Sequence, residues 1–212
     1  MKKQKTTRNR PLSAAKRDGI IVTAGRLFTE NGYRAVSMDA IATAVPVSKP
    51  TLYNHFSSKE ILYKAVMEAR CAAMAEMFDT ALREKADIRA TLVRIGEFFL
   101  SRILNPDSLA MYRVMIGEAG TFPELGHIFY EAGPARVRAA MITYLKQQHD
   151  TGAIKVPSPE RSAYCFINMI KVDAQMKALL GLPRVPGPKE RTRIIGYAVD
   201  VFLKGHGYKS KA

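Results

Sequence analysis

No stretch of this chain alternates apolar and polar residues long enough to build a strand. Apolar residues recur three and four positions apart instead, and proline and glycine repeatedly cut the recurrence. A 3.6-residue period gathers such residues on one face of a helix, so the fold is confined to packed α-helices. Ile20, Ala24, Leu27 and Phe28 line a first helix over residues 14–31, which Gly32 closes by accepting the backbone angles that end helices. Ser37 starts a short second helix with Met38, Ile41, Ala42 and Val45 facing inward, and Pro46 ends it. Ser48 caps a third, with Pro50 in the first turn, where a missing N–H costs little. Ser57 and Glu60 form a capping box for a fourth, which runs through Ile61, Ala65, Val66, Ala69, Ala73 and Met77.

The remainder reads as further helices. They cover 88–104, 108–119 behind an Asp107 cap, a segment opened by a Thr121–Glu124 capping box, and one after Gly133-Pro134. A long helix follows from Ser158-Pro159 to about Leu182, and a last one follows Gly187-Pro188. The fold class is all-α with about nine helices. Its parts are a basic arm (1–13), a helix-turn-helix domain (14–74), a helical domain (75–205) and a short tail (206–212).

The net charge is +14, which points to a polyanionic partner. The charge is densest early: residues 1–76 hold 13 Lys and Arg against 6 Asp and Glu, while the longer remainder holds 20 against 13. No apolar run approaches the about 20 residues that span a bilayer, and no apolar stretch follows the basic N-terminus. The two cysteines, Cys71 and Cys165, sit beside small or apolar residues and read as buried free thiols, which fits the cytoplasm.

Ser48 to Phe56 is too short to build a core, and only Leu52 and Phe56 are plainly apolar in it. These two, four residues apart, anchor the helix to a cluster of Ile20, Leu27, Phe28, Ile41 and Val45. Its other positions carry Ser48, Lys49, Thr51, Tyr53, Asn54 and His55. A protruding polar helix after a tight turn suits the major groove of DNA.

The segments AGRLFTENGYRAVSMDAIATAV and VSKPTLYNHFSSKEILYKAV resemble the DNA-binding domain of the TetR/AcrR family of bacterial transcription regulators. Residues 107–180, with EAGTFPELGHIFYEAGPARV, resemble the AefR-like ligand-binding domain of one subgroup. One departure stands in the turn, where the family usually has Ala-Gly and this chain has Val45-Pro46. The resemblance implies that Ser37, Thr51, Tyr53, His55 and Lys59 meet the sugar-phosphate backbone. Lys49 and Asn54 are candidates for base edges, since lysine donates to guanine and asparagine pairs with adenine. Ser48 stands with them as a DNA-binding candidate whose first role is to cap, and the arm (Lys2, Lys3, Lys5, Arg8, Arg10) is a candidate for further phosphate or minor-groove contacts.

The resemblance further implies a cavity for an apolar or amphipathic effector, with Phe98, Met111, Met115, Phe122, Phe129, Met141, Phe166 and Met169 as candidate lining. It implies a homodimer through the last two helices on a near-palindromic double-stranded operator, with effector binding moving the two DNA heads out of register. Phe166, Ile170, Ala174 and Ala178 form one candidate stripe there, and Ile194, Ala198, Val201 and Phe202 another; either stripe faces a second copy or the subunit's own core. The alternative is a ligand-independent dimeric DNA-binding protein whose C-terminal domain serves only dimerisation. Glu124-x-x-His127 has the spacing of half a di-iron site, but the second such motif is missing. No nucleophile elbow, phosphate-binding loop or dinucleotide fingerprint occurs. No catalytic residue, metal or cofactor is expected, and no membrane partner.

Overall fold

The computed structural model describes residues 14–83, 87–171, 173–183 and 185–209. The basic arm and the last residues of the tail lie outside them. The described residues form eleven helical segments and no strand. These are α1 (Ala14–Ala35), α2 (Met38–Ala44), α3 (Lys49–His55), α4 (Lys59–Arg83), α5 (Ile88–Ile103), α6 (Pro106–Ala119), α7 (Pro123–Ala132), α8 (Pro134–Asp150), α9 (Pro159–Lys171), α10 (Ala174–Leu179) and α11 (Pro188–Gly205). The chain divides into two compact units, 1–66 and 67–212, with the division inside α4.

In the first unit Ile20, Phe28, Ile41, Leu52 and Phe56 are buried as their periodicity predicts, while Leu27 and Val45 are only half-buried. The periodicity did not reveal Tyr33 and Tyr63, which pack with Phe28 into a triangle of rings with centroids 5.3–5.6 Å apart. Gly32 has φ 80° and ψ 160°, so α1 is broken there although helical residues continue to Ala35. Only glycine adopts those angles without strain.

In the second unit α8 packs on α9, α5 on α11 and α6 on α7. Leu92, Ile95, Leu100, Met141, Tyr144, Leu145, Phe166, Ile195, Val199 and Phe202 belong to one core cluster. Gly96 permits the close approach of α5 and α11: a Cβ there would stand 2.8 Å from Ile195 Cγ2 and 3.1 Å from Ile170 Cδ1. Tyr208 closes the unit by donating its hydroxyl to Asp87 Oδ1 (2.8 Å), while Asp87 Oδ2 accepts from Ala90 N at the start of α5.

Several helix starts differ from the capping signals. Ser58, not Ser57, caps α4 by accepting from Ile61 N (3.3 Å). Asn105, not Asp107, caps α6, and its side chain accepts from Asp107 N. Phe122, not Thr121, precedes α7 and makes no side-chain cap. In the last two cases Pro106 and Pro123 take the first helical position and thereby set the cap one residue before it. The long helix expected over 159–182 is two segments, α9 and α10. Asp173, a weak helix former in an interior position, stands at the start of the second. Cys165 is exposed rather than buried, because it falls on the face of α9 opposite Ala163, Phe166 and Ile170. Cys71 is half-buried, and burial pushes its thiol pKa up.

Burial raises the Tyr144 hydroxyl to about 12, against a hydrogen bond with Thr91 that acts the other way. A raised tyrosine pKa means the folded state keeps its proton longer, so this stability is present below pH 10 and is lost as pH rises toward 12. The full loss amounts to about 2–3 kcal/mol. Chemical denaturation at stepped alkaline pH should show this loss in the native protein and a flatter profile in Tyr144→Phe.

Candidate nucleic-acid interface

α3 follows a turn in which Val45 N donates to Ile41 O (3.0 Å) and Val47 N to Ala42 O (3.1 Å). Pro46 lies in that turn at φ +25°, in the half of conformational space where glycine is at ease and far from the about −65° that the proline ring favours. The departure from Ala-Gly noted in the sequence therefore falls at a strained position.

Two side chains anchor α3. Leu52 is fully buried and Phe56, its C-terminal cap residue, is 1% exposed, with the Arg17 guanidinium 5.3 Å from the Phe56 ring centroid. Ser48, Lys49, Tyr53 and Asn54 are exposed, and Thr51 and His55 are half-buried. Ser48 Oγ accepts from Thr51 N (3.3 Å) and lies 2.7 Å from Thr51 Oγ1, so these two hydroxyls serve the start of α3 as well as its outer surface. Ser37 is exposed and caps α2 by accepting from Ala40 N (3.1 Å).

Two of the candidate cations have partners that the sequence did not signal. Lys49 Nζ lies 2.9 Å from the carboxylate oxygens of Asp39, ten residues earlier on α2, and that hydrogen bond raises the Lys49 pKa. Lys59 Nζ donates to the carbonyls of Tyr33 and Val36, each at 3.0 Å, and stands 4.2 Å from the Tyr33 ring centroid. Tyr33 in turn donates its hydroxyl to Glu60 Oε1 (3.0 Å). Hydrogen bonds from Ser58 and from the backbone hold the Glu60 carboxyl below its ordinary value. Lys59 thus ties the end of α1 to the start of α4. No helical spacing links residues so far apart in sequence, which is why periodicity could not find the contact. An open cleft of about 400 Å³ runs between these parts, lined by Ser37, Met38, Asp39, Tyr53, Ser57, Ser58, Lys59 and Glu60.

The second unit divides the eight candidate effector residues. Met141 and Phe166 are core members, with Phe98 and Met169 packed against that core. Met111 and Met115 are buried on α6, and Phe122 and Phe129 are half-buried around α7. Tyr112 of α6 meets Phe129 edge-on with centroids 4.9 Å apart. His127 and Glu124 are exposed. On the last helices the two stripes resolve by burial. Phe166, Ile170, Ala174, Ala178, Ala198 and Phe202 are buried in the subunit's own core. Val201 is exposed, as are Tyr164, Met176, Leu180 and Tyr197.

Residues 20–66 match the family description "Bacterial regulatory proteins, tetR family". Residues 90–207, more than half the chain, match "AefR-like transcriptional repressor, C-terminal domain". This chain belongs to the TetR family. It is a DNA-binding transcriptional regulator, and TetR-family regulators bind DNA operators. Over 88 residues it is 39% identical to the transcriptional activator FasR of Mycolicibacterium smegmatis, a match covering 42% of this chain and 40% of that protein. A TetR-family regulator from Mesorhizobium loti superposes with a TM-score of 0.81 at 25% identity, covering 93% of this chain and 99% of its own. The flavonoid-responsive regulator FrrA superposes with a TM-score of 0.76 at 29% identity, covering 91% and 97%. Among the described residues no helix of this TetR-family chain is long and apolar enough to cross a membrane.

Proposed function

We propose that this TetR-family chain is a homodimeric repressor that binds a near-palindromic operator and leaves it when a small apolar or amphipathic effector binds the second unit. The observation that carries this reading is the division of α3 into buried anchors, Leu52 and Phe56, and an exposed polar set, Lys49, Tyr53 and Asn54. Lys49 and Asn54 read base edges in the major groove. Ser37, Thr51, Tyr53 and His55 meet the sugar-phosphate backbone, and Ser48 caps α3. Lys59 adds positive charge near a phosphate while its N–H groups hold the end of α1.

Met111, Met115, Phe122 and Phe129, on or beside α6 and α7, are the proposed first contacts of the effector. Methionine repacks readily around an irregular guest. Phe98, Met141, Phe166 and Met169 form the deeper wall, reached only as core packing gives way. The family description covering the second unit speaks of repressors, which supports the sign of regulation. The name of FrrA makes flavonoids the first effector class to try. The exposed apolar side chains of the last helices, Tyr164, Tyr197 and Val201 among them, form the dimer face. Effector and operator oppose one another, so each weakens the other's binding by the same factor.

The test is selection of duplexes from a randomised library by the native protein and by Lys49→Ala and Asn54→Ala. Each substitution should relax preference at particular positions by about 1–3 kcal/mol. Unchanged preference in both would place base reading on other residues. The selected operator then serves to measure release by added effector.

A further inference from the structure

Between Val36 and Ser58 the sequence contains one acid, Asp39, and one Lys or Arg, Lys49. The structure pairs these two: Nζ stands 2.9 Å from the carboxylate, and both side chains remain more than half exposed. In a chain of net charge +14, the segment that carries α2 and α3 therefore has no formal charge, apart from any on His55. A module built only to attract phosphate would not place its single carboxylate on its single cation.

Asp39 has an ordinary structural use, since it lies in the first turn of α2, where the helix dipole favours an acid. That use does not require Lys49. An exposed ion pair of this kind adds little to stability. Its consequence lies in what the ammonium can still bind. Lysine has three N–H donors, so Lys49 can keep Asp39 and still donate to a neutral acceptor such as guanine O6 or N7. A phosphate is different, because it brings a second anion against the Asp39 carboxylate, and the repulsion offsets the attraction to lysine. Asp39 also lines the cleft beside Ser37 and Tyr53, two of the proposed backbone contacts.

We propose that Asp39 is a specificity-determining residue that acts through Lys49, keeping the ammonium from phosphates and leaving it to a neutral base edge. The inference rests on the reading of α3 as the base-reading helix. Asp39 is a positioning residue and donates nothing to DNA itself.

Binding of the library-selected operator and of an unrelated duplex should be compared at several salt concentrations for the native protein, Asp39→Asn, Asp39→Glu, Lys49→Gln and the double variant Asp39→Asn/Lys49→Gln. In Asp39→Asn the freed Lys49 should bind phosphate. Affinity for unrelated DNA should rise, and the log–log salt slope there should steepen by about 0.9. The ratio of operator to unrelated binding should fall by about tenfold. Asp39→Glu should restore the native ratio and slope. In the Lys49→Gln background the effect of Asp39→Asn should shrink to the direct repulsion between Asp39 and nearby phosphates and lose the steepened salt slope, a coupling that a purely structural role for Asp39 would not produce. Asp39→Asn with native slope and ratio, or an effect of equal size without Lys49, overturns the proposal. If Asn54→Ala relaxes base preference while Asp39→Asn changes nothing, only this inference falls. If neither Asn54→Ala nor Lys49→Ala alters preference, the reading of α3 falls with it.

Discussion

Tyr197→Arg is expected to sediment as a monomer and to bind a full operator no better than a half-site. Tyr197 is 74% exposed on α11, so an arginine there leaves the subunit's own packing alone. In the proposed dimer it becomes an unpaired charge in an apolar contact, at a cost of about 3–5 kcal/mol. A two-fold interface repeats the change on the partner subunit. Dimer affinity should therefore drop by at least about two decades. Val201→Arg, one turn further along α11, should behave alike, because Val201 is also exposed. Ala198 makes the informative contrast. It is buried in the core of the subunit, so Ala198→Arg should lower the melting temperature instead of only splitting the dimer. If Tyr197→Arg and Val201→Arg both remain dimeric with full operator affinity, copies of the chain meet through other surfaces.

Leu52→Ala is expected to abolish operator binding while the second unit stays helical. Leu52 is completely buried and is one of two anchors for a seven-residue helix. Truncating a buried leucine costs about 2–5 kcal/mol, a large share of the stability that a small helical unit commands. Far-UV circular dichroism should fall by no more than the helices of the first unit contribute, and the remaining transition should keep its midpoint. A variant that melts like the native protein and binds the operator with native affinity would show that α3 is held by other contacts.

The element order was legible because proline and glycine punctuate this chain heavily. Pro106, Pro123, Pro134 and Pro188 each open a helix at the first or second position. Where capping residues and proline gave competing starts, proline prevailed, since its fixed φ specifies where helical angles can begin. Ser57 and Ser58 are equally good caps in isolation; burial of Phe56 in an extended conformation at the end of α3 leaves Ser58 to start α4. The inward direction of α3 followed from Leu52 and Phe56 alone. The inward direction of α9 and α11 did not, because each carries apolar residues on two faces and periodicity names both without ranking them. Among the candidate site residues on α3, polarity foretold the exposure of Ser48, Lys49, Tyr53 and Asn54 but not the half-burial of Thr51 and His55. The partners of Lys49 and Lys59 were not, because Asp39, Tyr33 and Val36 meet them only through tertiary packing.

The division of α3 into anchors and outward positions separates two kinds of information. Leu52 and Phe56 specify that the helix is present and where it sits, whereas Lys49, Tyr53 and Asn54 contribute little to holding it there. Substitutions at exposed positions of this sort usually shift stability by less than about 0.5 kcal/mol. If the outward residues read bases as proposed, a descendant of this chain can trial new ones, and so new genomic addresses, without passing through forms that fail to fold. On that reading the address is rewritable because the scaffold is indifferent to it.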